Sequence, residues 1–215
     1  MSRTVILDLD GPVLEGKLRH YRCYADILAE AGYAPMPREE YWALKRAGAD
    51  RRRQLRRSGA EGLYGEFLQR WLDRIEARRY LAHDAVQPGA RERLLAWKAE
   101  GVRLVLATQR RCRSALLQQL AERGLLPLFT DVLSTGSDSA GAGKAEMVAA
   151  LLGEPGPGCL WIGDSEADVD AARRLRIPIC AVTCGVRSEE YLRALRPDGL
   201  APDLSAVNLP EWMPT

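Results

Sequence analysis

From Pro88-Gly89 onward the chain alternates short apolar strands with helices, and that alternation narrows its fold more than any other feature. Helix Ala90–Glu100, stopped by Gly101, is followed by strand Val102–Ala107 and then helix Arg113–Arg123, stopped by Gly124. Strand Asp131–Ser134, helix Lys144–Leu152, strand Cys159–Ile162, helix Ser165–Leu175, strand Ile179–Val182 and helix Glu189–Leu195 complete the series. Strands separated by helices pair in parallel, and both faces of the sheet are then covered. The expected fold is α/β, a doubly wound, Rossmann-like parallel sheet. Ligands of such sheets bind beyond the carboxyl ends of the strands.

One further strand, Thr4–Leu9, opens the chain. Roughly seventy residues with no convincing strand separate it from the alternating part, whereas a βα connection usually takes about 2–6. Helices are expected at Lys17–Ala31, Arg38–Arg46 and Glu61–Leu81. Tyr21, Tyr24, Leu28 and Ala31 share one helical face, as do Phe67, Trp71 and Ile75. The division that follows is a core of residues 1–14 and 88–215, with 15–87 as an inserted α-helical cap subdomain above the ligand-binding edge.

The bulk of the sequence mainly excludes. A net charge of +2 gives no argument for nucleic acid or membrane as a partner, and no apolar run approaches the length of a membrane-spanning helix. The N-terminus enters a strand directly, so no secretory leader is expected. Five cysteines, an odd number with no CxxC spacing, read as reduced thiols and a cytoplasmic location. With only His20 and His83, zinc sites built on several histidines and most His-based nucleophile chemistry are excluded. Oligomeric state is not legible.

The chemistry collects at the strand ends. Strand one ends in Asp8 and Asp10, two acids that repel unless a cation or a shared proton relieves them. Strand two ends in Thr108, and Gly163-Asp164-Ser165 follows strand Cys159–Ile162, with Asp168 shortly after. Lys144 is read as opening a helix after the Gly-rich loop Gly136–Gly143. Carboxylates without soft ligands suit Mg2+, while a hydroxyl and an ammonium suit an anionic oxygen. Together they fit phosphoryl chemistry. Taken alone, the Ser165-x-x-Asp168 spacing is also that of a helix-capping box with Asp at its third position.

These residues, in this order, resemble the haloacid dehalogenase superfamily of phosphohydrolases with an inserted helical (C1-type) cap, and in particular its phosphoglycolate phosphatase-like members. The motifs are Asp8-Leu9-Asp10-Gly11, Thr108, Lys144 and Gly163-Asp164-Ser165-Glu166-Ala167-Asp168, and the match spans nearly the whole chain. The resemblance implies a Mg2+-dependent phosphatase of a small phosphorylated metabolite. Asp8 is then the nucleophile that forms an aspartyl-phosphate, and Asp10 the general acid and base. The metal set is Asp8, Asp10 through its backbone carbonyl, Asp164, and Asp168 in support. Thr108 binds a phosphoryl oxygen, and Lys144 keeps Asp8 ionised. An aspartate at position 10 favours a phosphate ester over a haloacid or a phosphonate. Pro12, Gln109 and Ala145 depart from the more usual Thr, Asn and Pro at those places. A phosphomutase on the same site is the alternative enzyme, and a receiver-like or non-catalytic phospho-binding protein is the alternative class. One of Arg110, Arg111 and Arg113 is a candidate to grip a second anionic group of the substrate. The run Arg51–Arg53 with Arg56 and Arg57 reads as a solvated helix face, and His20 as a boundary residue.

Overall fold

A computed structural model describes residues 3–136 and 140–213. In chain order the elements begin with β1 (Thr4–Leu7), β2 (Leu14–Glu15), α1 (Lys17–Glu30), α2 (Arg38–Arg46), α3 (Arg51–Arg57), α4 (Tyr64–Arg74), α5 (Arg78–Leu81) and β3 (Ala85–Val86). They continue with α6 (Ala90–Ala99), β4 (Arg103–Thr108), α7 (Arg113–Glu122), β5 (Asp131–Ser134), α8 (Ala140–Leu152), β6 (Cys159–Gly163) and α9 (Glu166–Leu175). Last come β7 (Ile179–Val182), α10 (Glu189–Ala194), β8 (Gly199–Ala201) and α11 (Leu209–Trp212).

Six strands form one parallel sheet in the order β5-β4-β1-β6-β7-β8. The two-residue side-chain period of a strand sorts its apolar residues into two layers. Val5, Leu7, Leu104, Leu106, Leu160 and Ile162 join one buried cluster, while Ile6, Val105, Ala107, Cys159 and Trp161 join the other. The chain runs from β1 to β4 and β5 on one side, then returns across β1 to build β6, β7 and β8 on the other. That reversal places the crevice of the sheet beside β1. Leu7 lies opposite Leu106 and Ile162, so the residues that follow these three strands emerge side by side.

Helices α1–α5 enclose an aromatic core of their own. Tyr24 stacks on Tyr41 with centroids 4.5 Å apart, and Phe67 packs on Trp71 at 5.7 Å. The chain enters and leaves this helical layer through an antiparallel ribbon of β2 and β3, which pairs Leu14 with Val86 and Glu15 with Ala85.

Several elements differ from the sequence reading. The stretch Glu61–Leu81 is not one helix: Glu61–Leu63 is a 3-10 turn, and the chain breaks again between α4 and α5. The second break delivers Glu76 to the core, where its carboxylate accepts the backbone N–H groups of Arg111 and Cys112, both at 2.8 Å. Helix α3 is capped by Asp50, whose side chain accepts the Arg53 N–H at 2.7 Å. Lys144 does not open a helix, because α8 already starts at Ala140 and Lys144 stands in its second turn. Glycine there is a packing residue rather than a loop signal: a Cβ on Gly141 would meet the Ala167 carbonyl of α9 at 2.6 Å. Residues 137–139 of the expected Gly-rich loop lie outside the described residues.

Leu106 is fully buried between Leu7 and the facing layer. Leu106→Ala is expected to cost about 2–5 kcal/mol, the usual range for such a deletion, read as a lower urea midpoint at unchanged slope.

Candidate active site

The end of β1 dictates the site. Asp8 follows the last paired residue, and the chain then doubles back over Leu9–Leu14, with Leu14 N–H returning to the Leu9 carbonyl at 2.9 Å. Gly11 makes that turn possible. Its φ is +111°, and a Cβ there would sit 2.2 Å from the Asp164 carboxyl carbon. Gly185 approaches Asp164 from another side, where a Cβ would lie 1.8 Å from Oδ2. Asp164 is thus enclosed by backbone on two sides and is fully buried.

Asp8, Asp164 and Asp168 each offer an oxygen to a common point, these atoms lying within 4.8 Å of one another. Lys144 Nζ bridges Asp8 Oδ1 at 2.9 Å and Asp168 Oδ1 at 2.7 Å. Asp8 Oδ1 also accepts the Leu9 N–H at 2.8 Å, which leaves Oδ2 as the oxygen directed at the cavity. Asp168 is saturated. Its two oxygens accept from Lys144, Trp161 Nε1, the N–H groups of Asp164 and Ser165, and the Ser165 hydroxyl. Asp168 therefore fixes Lys144 and the 163–165 turn, and has no lone pair to spare for a direct metal bond. Its bond to Ser165 N–H shows that the capping reading of this spacing holds alongside the site reading.

The cluster is short of positive charge. Burial pushes the Asp8 carboxyl up to about 7, with Asp168 and Asp10 adding to the shift and Lys144 opposing it. Burial, then Asp8 and Asp168, hold Asp164 well above the usual carboxylate range. One oxygen of Asp164, Oδ1, is buried without a hydrogen-bond partner. Lys144 alone does not make up the deficit. An oxygen-seeking divalent cation such as Mg2+ fits this donor set, and Asp8 and Asp164 would hold it.

Asp10 points elsewhere. Arg110 grips it with two bonds, Nε to Oδ2 at 2.7 Å and Nη2 to Oδ1 at 2.8 Å, and Arg19 Nη2 reaches Oδ1 at 2.7 Å. Although burial acts against ionisation, Arg110 and Arg19 hold the carboxyl well below its usual range. Asp84 completes the network, with ion pairs to Arg19 at 2.9 Å and Arg110 at 3.1 Å. Gln119 donates to Asp84 at 2.8 Å. Arg110 Nε and Nη2 are thus committed to these acids, while its Nη1 is buried without a hydrogen-bond partner. Arg113 donates to the Val132 carbonyl and is also occupied.

A cavity of about 350 Å3 opens between these strand ends and the helical layer. Asp8, Asp10, Thr108 and Asp164 form its floor. His20, Lys45, Arg51 and Trp71 form the opposite wall, and Arg111 and Arg187 also border it. His20, half-buried, thus borders the cavity, as does Arg51 of the arginine run. The rest of the arginine run lies outside: Arg52 stacks on Tyr64, Arg56 pairs with Glu61, and Arg57 pairs with Glu40. Sequence reasoning missed Arg19, Lys45, Glu76, Asp84 and Arg187, which lie in no motif. Only charged residues on the apolar side of an amphipathic helix, as Arg19 is on α1, could have signalled them.

The pattern that defines the haloacid dehalogenase-like hydrolases matches residues 2–176. A phosphoglycolate phosphatase from Rhodobacter capsulatus is 25% identical over 197 residues, 87% of each chain. An enolase-phosphatase E1 from Gluconobacter oxydans is 32% identical over 125 residues, 56% of this chain and 53% of its own. Among solved structures, a haloacid dehalogenase-like family hydrolase from Streptococcus pneumoniae superimposes with a TM-score of 0.75 at 17% identity, covering 94% of this chain and 95% of its own. That last likeness bears on the fold alone. No described helix is long and apolar enough to cross a membrane.

Asp8 and Asp164 must shed their protons to take a cation, so Mg2+ affinity is expected to rise with pH through about 7. Mg2+ should therefore raise the thermal midpoint more at pH about 8 than at about 5. Asp164→Asn removes the buried acid whose Oδ1 has no partner. It should lift the metal-free midpoint by roughly 3 °C, for about 1 kcal/mol, and abolish the Mg2+ response. Equal Mg2+ shifts at both pH values would contradict this.

Proposed function

Because the chain belongs to the haloacid dehalogenase-like hydrolase family, we propose that it is a Mg2+-dependent phosphatase that hydrolyses a small phosphorylated metabolite through an aspartyl-phosphate. The observation that carries this reading is the half-satisfied Asp8 carboxylate, with one oxygen pinned by Lys144 and Leu9 and the other turned into the cavity. Asp8 attacks phosphorus, the ester bond breaks, and water then attacks the same phosphorus to release phosphate and restore the carboxylate. Asp8, Asp164 and the Asp10 carbonyl would hold the metal, which when bound offsets the charge on the phosphoryl oxygens. Thr108, buried at the end of β4, offers its hydroxyl to a phosphoryl oxygen.

Asp10 handles protons. The two arginines hold it ionised, the form suited to taking a proton from the attacking water. Service as a proton donor in the first step requires that this grip loosen. Lys144 answers both Asp8 and Asp168, so it keeps the nucleophile oriented as well as charged.

Helices α1–α5, within residues 15–87, act as the cap. They roof the cavity, exclude water during the first step and meet the leaving group. The likeness to a phosphoglycolate phosphatase along most of both chains favours a small acidic ester. All five cysteines are unpaired, which suits a cytoplasmic enzyme.

Phosphate release from a generic aryl phosphate should require Mg2+. Asp8→Asn should abolish it, and Asp10→Asn should lower kcat by roughly 10²–10⁴-fold, the scale of a general acid–base group. Full activity of Asp8→Asn, or isomerised sugar phosphate with little free phosphate, would overturn the reading.

A further inference from the structure

Among the described residues, Asp84 is the most deeply buried acid outside the cluster of Asp8, Asp164 and Asp168, and the phosphatase reading gives it no task. It stands immediately before β3 and meets Asp10 only through two guanidinium groups. Arg19 divides itself between the two acids, with Nη2 on Asp10 at 2.7 Å and Nε beside Asp84 at 2.9 Å. Arg110 Nη2 is shared from a single atom, 2.8 Å from Asp10 Oδ1 and 3.1 Å from Asp84 Oδ2. Two acids and two bases thus form a closed set whose formal charges cancel. A well-packed apolar set of similar volume often serves stability as well as buried ion pairs do. Fastening helices to a sheet therefore does not by itself call for four such charges.

The place of Asp84 is enforced from behind. Gln119 Nε2 donates to its Oδ2 at 2.8 Å and to the Leu81 carbonyl at 3.0 Å. On the other side Gly16 leaves room for the pair, because a Cβ there would stand 3.1 Å from Arg19 Nη2 and 3.5 Å from Asp84 Oδ1. The effect is felt at Asp10. Its Oδ1 accepts from both arginines, whereas Oδ2 accepts only from Arg110 Nε. Asp10 borders the cavity, and Oδ2 is its oxygen with hydrogen-bonding capacity left for a ligand there.

We infer that Asp84 is a positioning residue for Asp10: by taking a share of Arg19 and Arg110 it holds both guanidinium groups on the Oδ1 side and keeps Oδ2 turned to the bridging oxygen of the ester. The inference rests on the phosphatase reading and deepens it. Without the Asp84 carboxylate both arginines turn wholly onto Asp10 and draw it out of line with the leaving oxygen. The loss then falls on proton transfer to that oxygen. Binding of the phosphoryl group at Asp8 and Thr108 is left in place, since neither residue touches Asp84.

The test uses the Mg2+-loaded full chain and compares wild type, Asp84→Asn, Gln119→Met and Asp10→Asn on dinitrophenyl, phenyl and ethyl phosphate. A dinitrophenolate departs without a proton and an alkoxide needs one, so kcat/KM across the series isolates the proton-donating step. Asp84→Asn should lower kcat/KM on ethyl phosphate by about 10- to 100-fold, the scale of a misplaced reacting group, through kcat rather than KM. On dinitrophenyl phosphate the loss should be roughly tenfold smaller, and on phenyl phosphate intermediate. Gln119→Met keeps all four charges and should show the same trend at lower amplitude, and it decides the matter if Asp84→Asn does not fold. Adding Asp84→Asn to Asp10→Asn should cost nothing further on ethyl phosphate, because Asp84 acts only through Asp10. Equal losses on all three esters, or additive losses in the double variant, mean a purely structural role and overturn the inference. Absence of phosphate release by wild type from every ester would instead count against the phosphatase reading.

Discussion

Carboxylates crowded at the carboxyl ends of two adjacent strands, β1 and β6, are the constraint on which this structure turns. Asp8, Asp164 and Asp168 converge on one point, and such a cluster is costly unless positive charge enters it. Lys144 supplies part of that charge from the second turn of α8, and Asp168 spends all its lone pairs holding Lys144 and the turn beside it. The remaining deficit, visible in the raised Asp8 and the unpartnered oxygen of Asp164, is one that a divalent cation would fill. The site is built to be completed by its ligands.

Asp10 obeys the opposite rule. It has more cation than it needs, from Arg110 in the loop after β4 and Arg19 on α1, with Asp84 between the two arginines. The same network joins α1, the residues before β3 and the loop after β4. The charge that sets the state of Asp10 therefore also ties the helical layer to the sheet. Glu76 and the end of α2 add further ties. This closed arrangement puts Lys45 and His20 over the floor of the cavity.

Much of this was legible in the sequence. The alternation after Pro88 gave the sheet, and acids at the ends of apolar strands gave Asp8 and Asp164, because a buried strand has few other reasons to finish in a charge. Residues whose role depends on distant partners were not legible. Arg19, Asp84, Arg110 and Gln119 meet across some hundred positions of sequence, and no local spacing marks such a meeting. Short elements escaped for a related reason: β2, β3 and β8 are two or three residues long and owe their form to a neighbour rather than to their own pattern. The glycines before Lys144 are ambiguous in the sequence because close helix packing, as at Gly141, and loop formation use the same residue.

The central claim is that Asp8 carries the phosphoryl group between substrate and water. The most direct measurement is the stereochemical course at phosphorus, with a substrate made chiral by oxygen isotopes and the released phosphate analysed. Two in-line displacements, first by Asp8 and then by water, predict net retention of configuration. Net inversion would mean that water attacks the substrate directly, and would contradict the account.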